Sequence, residues 1–213
     1  MLILFPLLST LNHLGFALLR PYQEFVLQSH TNPLRWAEYA LSAGAMVWVI
    51  ATLSGVTELR TLITLCVLNV GLQYVGYLVE RCFAIMSGPY IPGLYTTVGT
   101  APCPIAVAVH PSDLTRVGWL IFMAMWIEIM VSFFSVLEYD AVQKPPDIVY
   151  AIVIVLFVLF STFGALQLLY INGILRDFRT YELGFIVLSF VSKTMLTWMV
   201  YGGVINAGTN MRK

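Results

Sequence analysis

Lys193 stands midway through an apolar stretch that runs from Glu182 to Ile205. A lysine at mid-bilayer costs roughly 3 kcal/mol or more and marks a functional site whose partner should be named. About ten helical residues separate it from either end of the stretch, roughly 15 Å at the helical rise. The side chain alone cannot reach that far, so the amine is paired, neutral or covalently used. Burial favours the neutral amine, which condenses with an aldehyde as a Schiff base. Once protonated, such a linkage is a fixed buried cation that needs a carboxylate nearby. Glu38 is the best candidate. It follows Arg35-Trp36-Ala37 at the start of another apolar stretch. Helical spacing puts Arg35 one turn before it and Ser42 one turn after, with Met46 a turn further. Two plainer readings stand beside this one. Arg35 and Glu38 can form an interfacial pair, and Lys193 and Glu38 can form a structural pair or a transporter's ion site.

Other polar residues in apolar surroundings carry weaker signals. Glu128, in Trp126-Ile127-Glu128-Ile129-Met130, is expected to face the bundle interior or a water-filled cavity. It reads as a proton relay, or more plainly as a protonated glutamic acid bonded to a neighbouring helix. His13 is the histidine within a spanning segment, and a lone buried histidine is more often a packing residue than a proton acceptor. Phe160 and Phe163 share a helical face, with Gln167 a turn on. Together with Trp126 and Met46 they suit an apolar ligand pocket, although ordinary helix packing explains each of them singly. The cysteines Cys66, Cys82 and Cys103 match no metal or redox spacing. Cys66 reads as packing, and nothing in the sequence supports a Cys82–Cys103 disulfide. No catalytic set or metal site is expected, and neither is an enzyme.

The elements that position these residues must be membrane helices. Charged residues are 10% of the chain, against about 25% in soluble domains, and mean hydropathy is +0.85. This composition implies an all-α, multi-pass transmembrane helix bundle in a lipid bilayer, with residues 1–213 as one domain. The formal net charge of zero argues against a nucleic-acid partner. Six segments are long enough to span roughly 30 Å of hydrocarbon. They lie near 2–19, 36–56, 62–79, 117–137, 148–171 and 183–205. The connection from Glu80 to Arg116 contains Gly88-Pro89, Pro92-Gly93 and Pro102-Cys103-Pro104. It reads as a loop with interfacial or re-entrant parts, because its prolines break a spanning helix. Arg20, Arg35, Arg81, Arg116, Arg176 and Arg179 fall on one side, and Arg60, Lys144, Arg212 and Lys213 on the other. The positive-inside rule makes the first side cytoplasmic and places the C-terminus outside. Six spans would then leave both termini external. With an opening that lies inside an apolar run, this gives the expectation that a helix is missing at the front.

Several of these stretches resemble one family. Leu34-Arg35-Trp36-Ala37-Glu38-Tyr39-Ala40-Leu41-Ser42 is similar to the third-helix motif of heliorhodopsins. The run Ile186 to Trp198, with Lys193 at its centre, is similar to their seventh helix and its retinal lysine. Asp147-Ile148-Val149-Tyr150, followed by Phe157, Phe160 and Phe163, resembles their sixth helix, and Asn12-His13 resembles the histidine site of their second. The resemblance implies a rhodopsin-like seven-helix fold of inverted orientation, with about six helices in this chain. It implies all-trans retinal on Lys193 as a protonated Schiff base, with Glu38 as counter-ion and Ser42 beside it. His13 would belong to a polar cavity linked to the transferred proton, and Met46, Trp126, Phe160 and Phe163 would line the chromophore. The implied function is light sensing, with signalling to an unknown partner rather than ion pumping, and with homodimerisation as a family expectation. The alternatives are a light-driven or light-gated proton conductor using Glu128, a retinal-free transporter or scaffold, and an inactive truncated form. Glu128 departs from the family pattern, which has a small neutral residue at that fifth-helix position.

Overall fold

The computed structural model describes residues 4–87, 109–139 and 146–210. These form seven helices: α1 (Leu4–Leu18), α2 (Arg20–Ser29), α3 (Pro33–Leu53), α4 (Leu59–Ser87), α5 (Pro111–Tyr139), α6 (Asp147–Ile171) and α7 (Phe178–Asn210). Five of them, α3 to α7, are long and apolar enough to cross a membrane. The described part of α1 has 15 residues, about 22 Å at the helical rise.

The apolar segments underestimate the helices. Each helix from α3 to α7 begins before its apolar run, and α4 continues eight residues past Val79 to Ser87. Backbone hydrogen bonding does not stop at the edge of the hydrocarbon, so interfacial turns carrying Arg35, Glu80 and Glu182 stay helical. The expected loop from Glu80 to Arg116 is correspondingly shorter, and its proline pairs at 88–104 lie outside the described residues, as does Cys103. The stretch from Arg20 to Arg35, read as a connection, contains the ten-residue helix α2. His30 ends it in the left-handed conformation at φ 52°, and Asn32 caps α3 by accepting the Arg35 N–H at 3.1 Å. Pro33 fits the first helical position because its missing N–H has no intrahelical partner there.

The six longer helices form a closed ring in the order α1, α3, α4, α5, α6, α7, and α1 packs on both α3 and α7. Inside the ring lie two buried clusters. One, between α3, α5 and α6, is built from Met46, Ile50, Trp126, Ile129, Ile152 and Leu156 among others. The other is aromatic, sits toward the Arg35 end, and joins Trp36, Tyr39, Tyr170, Phe178, Tyr181 and Phe185. The outward faces are apolar: Leu120, Val158, Phe190 and Trp198 are all exposed, as a lipid-facing surface requires.

α7 is started by Asp177. Its carboxylate accepts the Thr180 N–H at 3.0 Å and the Thr180 hydroxyl at 2.7 Å, which satisfies orphan donors of the first turn. These bonds hold the Asp177 carboxyl below its ordinary value of 3.8. A carboxyl lowered in the folded state gives stability above its unfolded pKa and loses it as pH falls through the folded value. Asp177→Ala should therefore melt below wild type at neutral pH, with the two midpoints converging as pH drops below roughly 4. Thermal melts in detergent across that range check this, and a gap that stays constant into acid would refute it.

Candidate functional site

Lys193 and Glu38 meet inside the ring. The Lys193 Nζ donates to Glu38 Oε1 at 2.8 Å, and both side chains are about 6% exposed. The same amine donates to Ser189 Oγ at 2.7 Å and to Ser9 Oγ at 3.0 Å. Ser189 lies one turn before Lys193 on α7, while Ser9 comes from α1. Three helices thus converge on one nitrogen. Ser9 Oγ is in turn 3.2 Å from His13 Nε2, so a hydrogen-bonded chain leads from Lys193 through Ser9 to half-buried His13. Glu38 Oε2 and Ser42 Oγ are buried without a protein partner.

From this end a cavity extends between the helices, with about 900 Å³ of non-atom space counting its open mouth. Lys193, Ser42, Met46, Phe160 and Phe163 all line it, as does Gln167, so the expected α6 face is brought together. Trp126 stands one layer back. It is 1% exposed and its ring packs on Phe157 and Phe160 at 5.2 and 6.1 Å. It therefore supports the cavity wall without forming it. Two glycines widen the cavity. A Cβ at Gly76 would stand 2.4 Å from the Trp36 ring, and one at Gly164 would stand 2.8 Å from the Trp119 ring. Both indoles lie against helix backbone where any larger residue would displace them, and both line the cavity.

Glu128 is not in this site. The expectation that it faces the bundle interior or a water-filled cavity is wrong: it lies exposed on the outward face of α5, between exposed Ile127 and Val131. Met125, Trp126 and Ile129 take the inward positions, and at 100° per residue the helix then turns position 128 away.

Arg35 is not the partner of Glu38. It is 1% exposed, and its two terminal nitrogens bind separate carboxylates, Glu80 of α4 and Glu182 of α7. Asn32 ties the same pair together, its N–H donating to Glu80 at 2.6 Å and its side-chain amide to Glu182 at 2.5 Å. The Tyr181 hydroxyl donates to Glu80 at 3.3 Å, and the Tyr22 hydroxyl of α2 donates to Asn32 at 2.6 Å. The guanidinium also lies over the rings of Phe185 and Trp36 at 4.2 and 4.9 Å. Sequence reasoning treated Glu80 and Glu182 as segment edges and passed over Ser9, Ser189 and Tyr39. Ser189 carried a usable signal, four residues before Lys193 on one face. The pairing of Glu80 with Glu182 through Arg35 joins residues 102 apart and left none.

The composition of this cavity suits a largely apolar molecule with one reactive end: its walls are mostly aromatic and aliphatic, with Asn69, Gln73, Thr115 and Gln167 as further polar members, and it holds a single amine, Lys193, whose carboxylate partner is Glu38. The protein-family model described as Heliorhodopsin matches residues 1–205. The chain belongs to the heliorhodopsin family. No curated protein matches it. As a heliorhodopsin it is a retinal-binding, light-sensing protein of the membrane, in a family of photoreceptors. Retinal is such a molecule, an apolar polyene with a terminal aldehyde, and the residues present fit it.

Removing Arg35 would leave two buried carboxylates facing each other, and breaking a buried charge pair costs about 3–5 kcal/mol. Arg35→Leu should accordingly lower the thermal midpoint steeply, as read by circular dichroism in detergent. A wild-type melt would show that the three-way ion pair contributes nothing to folding.

Proposed function

We propose that Lys193 carries all-trans retinal covalently, with Glu38 as the counter-ion of the charged linkage, and that the protein signals light and does not pump ions. The observation that carries this reading is the 2.8 Å contact with Glu38 of the Lys193 Nζ, which lines a largely aromatic cavity. Bound there, retinal would supply light-driven isomerisation of a polyene double bond next to the Lys193 nitrogen.

The protein's own groups do the rest. Glu38 balances the charge on the Lys193 nitrogen; the charged linkage would keep a single N–H, for which Glu38, Ser9 and Ser189 are the acceptors that surround the free amine. Ser9 also offers a proton on Lys193 a route to His13, the alternative to direct transfer to Glu38. Ser42, with its hydroxyl unpaired beside the cavity, is placed to solvate Glu38 as its charge changes. Met46, Phe160 and Phe163 fix the apolar part of the ligand, backed by Trp126. Neutralising Glu38 changes the field felt by Arg35 one turn away, and Arg35 holds α4 and α7 through Glu80 and Glu182. This gives light a mechanical output at the Arg35 end of the ring. The outward placement of Glu128, away from Lys193, supports signalling over conduction through that carboxyl.

On this reading residues 1–213 form one retinal-binding unit in which α1 also lies in the bilayer. The distribution of lysine and arginine supports a cytoplasmic Arg35 end and an external C-terminus. A homodimer and an unidentified signalling partner complete the proposal.

Membranes expressing the chain should develop a visible absorption band when all-trans retinal is added, and Lys193→Ala should develop none. A band that survives in the mutant would place the attachment elsewhere, and no band in the wild type would favour a retinal-free or inactive form. Glu38→Gln should move the band to longer wavelength. A nearby carboxylate lowers the energy of the chromophore's ground state more than that of its excited state, and this difference disappears with the charge. An unmoved band would remove Glu38 from the counter-ion role.

A further inference from the structure

Tyr39 follows Glu38 and is 4% exposed. Its ring lies beneath the amine of Lys193, with Nζ 5.2 Å from the ring centroid. Its hydroxyl crosses to α7 and donates to the Phe185 carbonyl at 2.9 Å. The ring is held on further sides by Trp36, Phe163 and Phe185, at 6.3, 5.7 and 6.2 Å, and it lines the cavity. A cation over an aromatic face is attracted by the ring quadrupole, and the attraction strengthens when water is excluded. The amine therefore has a carboxylate on one side and a fixed, oriented π face on another.

We propose that Tyr39 is an uncharged second counter-ion: its ring shares with Glu38 the stabilisation of positive charge on the Lys193 nitrogen, and its hydroxyl locks the ring in that position from α7. For the retinal-loaded protein this rests on the attachment proposed above, whereas for the free amine it does not.

The charged and titratable groups that bear on the nitrogen are few. On α1 there is His13, reached through Ser9. On α3 there are Glu38, Tyr39 and, a turn away, Arg35. Glu80 of α4 and Glu182 of α7 are bound to Arg35. α5 and α6 turn neutral groups such as Phe122 and Gln167 to the cavity. An ordinary packing tyrosine here would leave the proton affinity of Lys193 unchanged when replaced by another apolar residue. A π counter-ion would not, because leucine fills much of the space without a quadrupole.

The sequence has three lysines, Lys144, Lys193 and Lys213, so the titration of Lys193 can be followed singly. The retinal-free full chain would be reductively methylated with isotope-labelled formaldehyde and a borohydride as hydride donor. The Lys193 signal would be assigned by its loss in Lys193→Ala and titrated by NMR. Tyr39→Phe keeps the ring and should titrate close to wild type. Tyr39→Leu should lower the midpoint by about one pH unit or more, a tenfold loss of proton affinity. Equal midpoints for wild type and Tyr39→Leu would overturn the proposal, and so would a fall in Tyr39→Phe as large as in Tyr39→Leu. Should the leucine variant fail to fold by circular dichroism, Tyr39→Trp carries the test. Its stronger quadrupole should keep or raise the midpoint, and a fall of a unit would refute the role. With retinal added, the pH at which the visible band bleaches should shift in the same order. Absence of any band would count against attachment at Lys193 and leave the retinal-free titration to decide on Tyr39.

Discussion

An ammonium or carboxylate taken out of water loses several kcal/mol of solvation, which is recovered only by close pairing and further hydrogen bonds. This heliorhodopsin meets that constraint twice within a single turn of α3. Glu38 pairs with Lys193, and Arg35 pairs with Glu80 and Glu182. The partners come from α4 and α7, so each charge can be satisfied only when the ring has closed in the right register. The same requirement that makes these residues costly makes them specific. A slip of α7 by one residue would separate Lys193 from Glu38 and Glu182 from Arg35 together.

The two pairings differ in what surrounds them. Around Arg35 each described carboxylate oxygen of Glu80 and Glu182 is met by a donor, from Asn32, Tyr181 or the guanidinium itself, and Arg35 Nε alone of the guanidinium nitrogens is left without a partner. Around Lys193 the set is looser. Glu38 and Ser42 each keep an unpaired oxygen, and the nitrogen faces a cavity. A satisfied network resists change and an incompletely satisfied one permits it. The Lys193–Glu38 pair and the Arg35 cluster thus sit one helical turn apart on α3, close enough for a change of charge at one to be felt at the other.

The Lys193–Glu38 pair was legible in the sequence because hydrocarbon leaves a lysine so few options. The α6 aromatic face was legible because helical spacing alone aligns Phe160, Phe163 and Gln167. Glu128 was misplaced because the rule that buried charges face inward says nothing about rotation. That is set by which of its neighbours, here Met125, Trp126 and Ile129, pack best against the core. The partners of Arg35 were out of reach for another reason. An i to i+3 neighbour on the same helix was the nearest carboxylate in sequence, whereas the actual partners are brought in by tertiary contacts. α2 was missed because its ten residues, although amphipathic, are too few and too polar overall to register as a spanning segment.

The glycine seats of Trp36 and Trp119 bear on how a bent ligand would be felt. A cavity walled by flexible side chains absorbs a change in ligand shape through rotamer hops. Here two of the largest wall groups are wedged against main chain at Gly76 and Gly164, with nowhere to retreat. A guest that changes curvature must therefore push through the indoles onto the axes of α4 and α6. The stiff lining converts a local torsion into displacement of whole helices, and α4 is one of the two that Arg35 clasps.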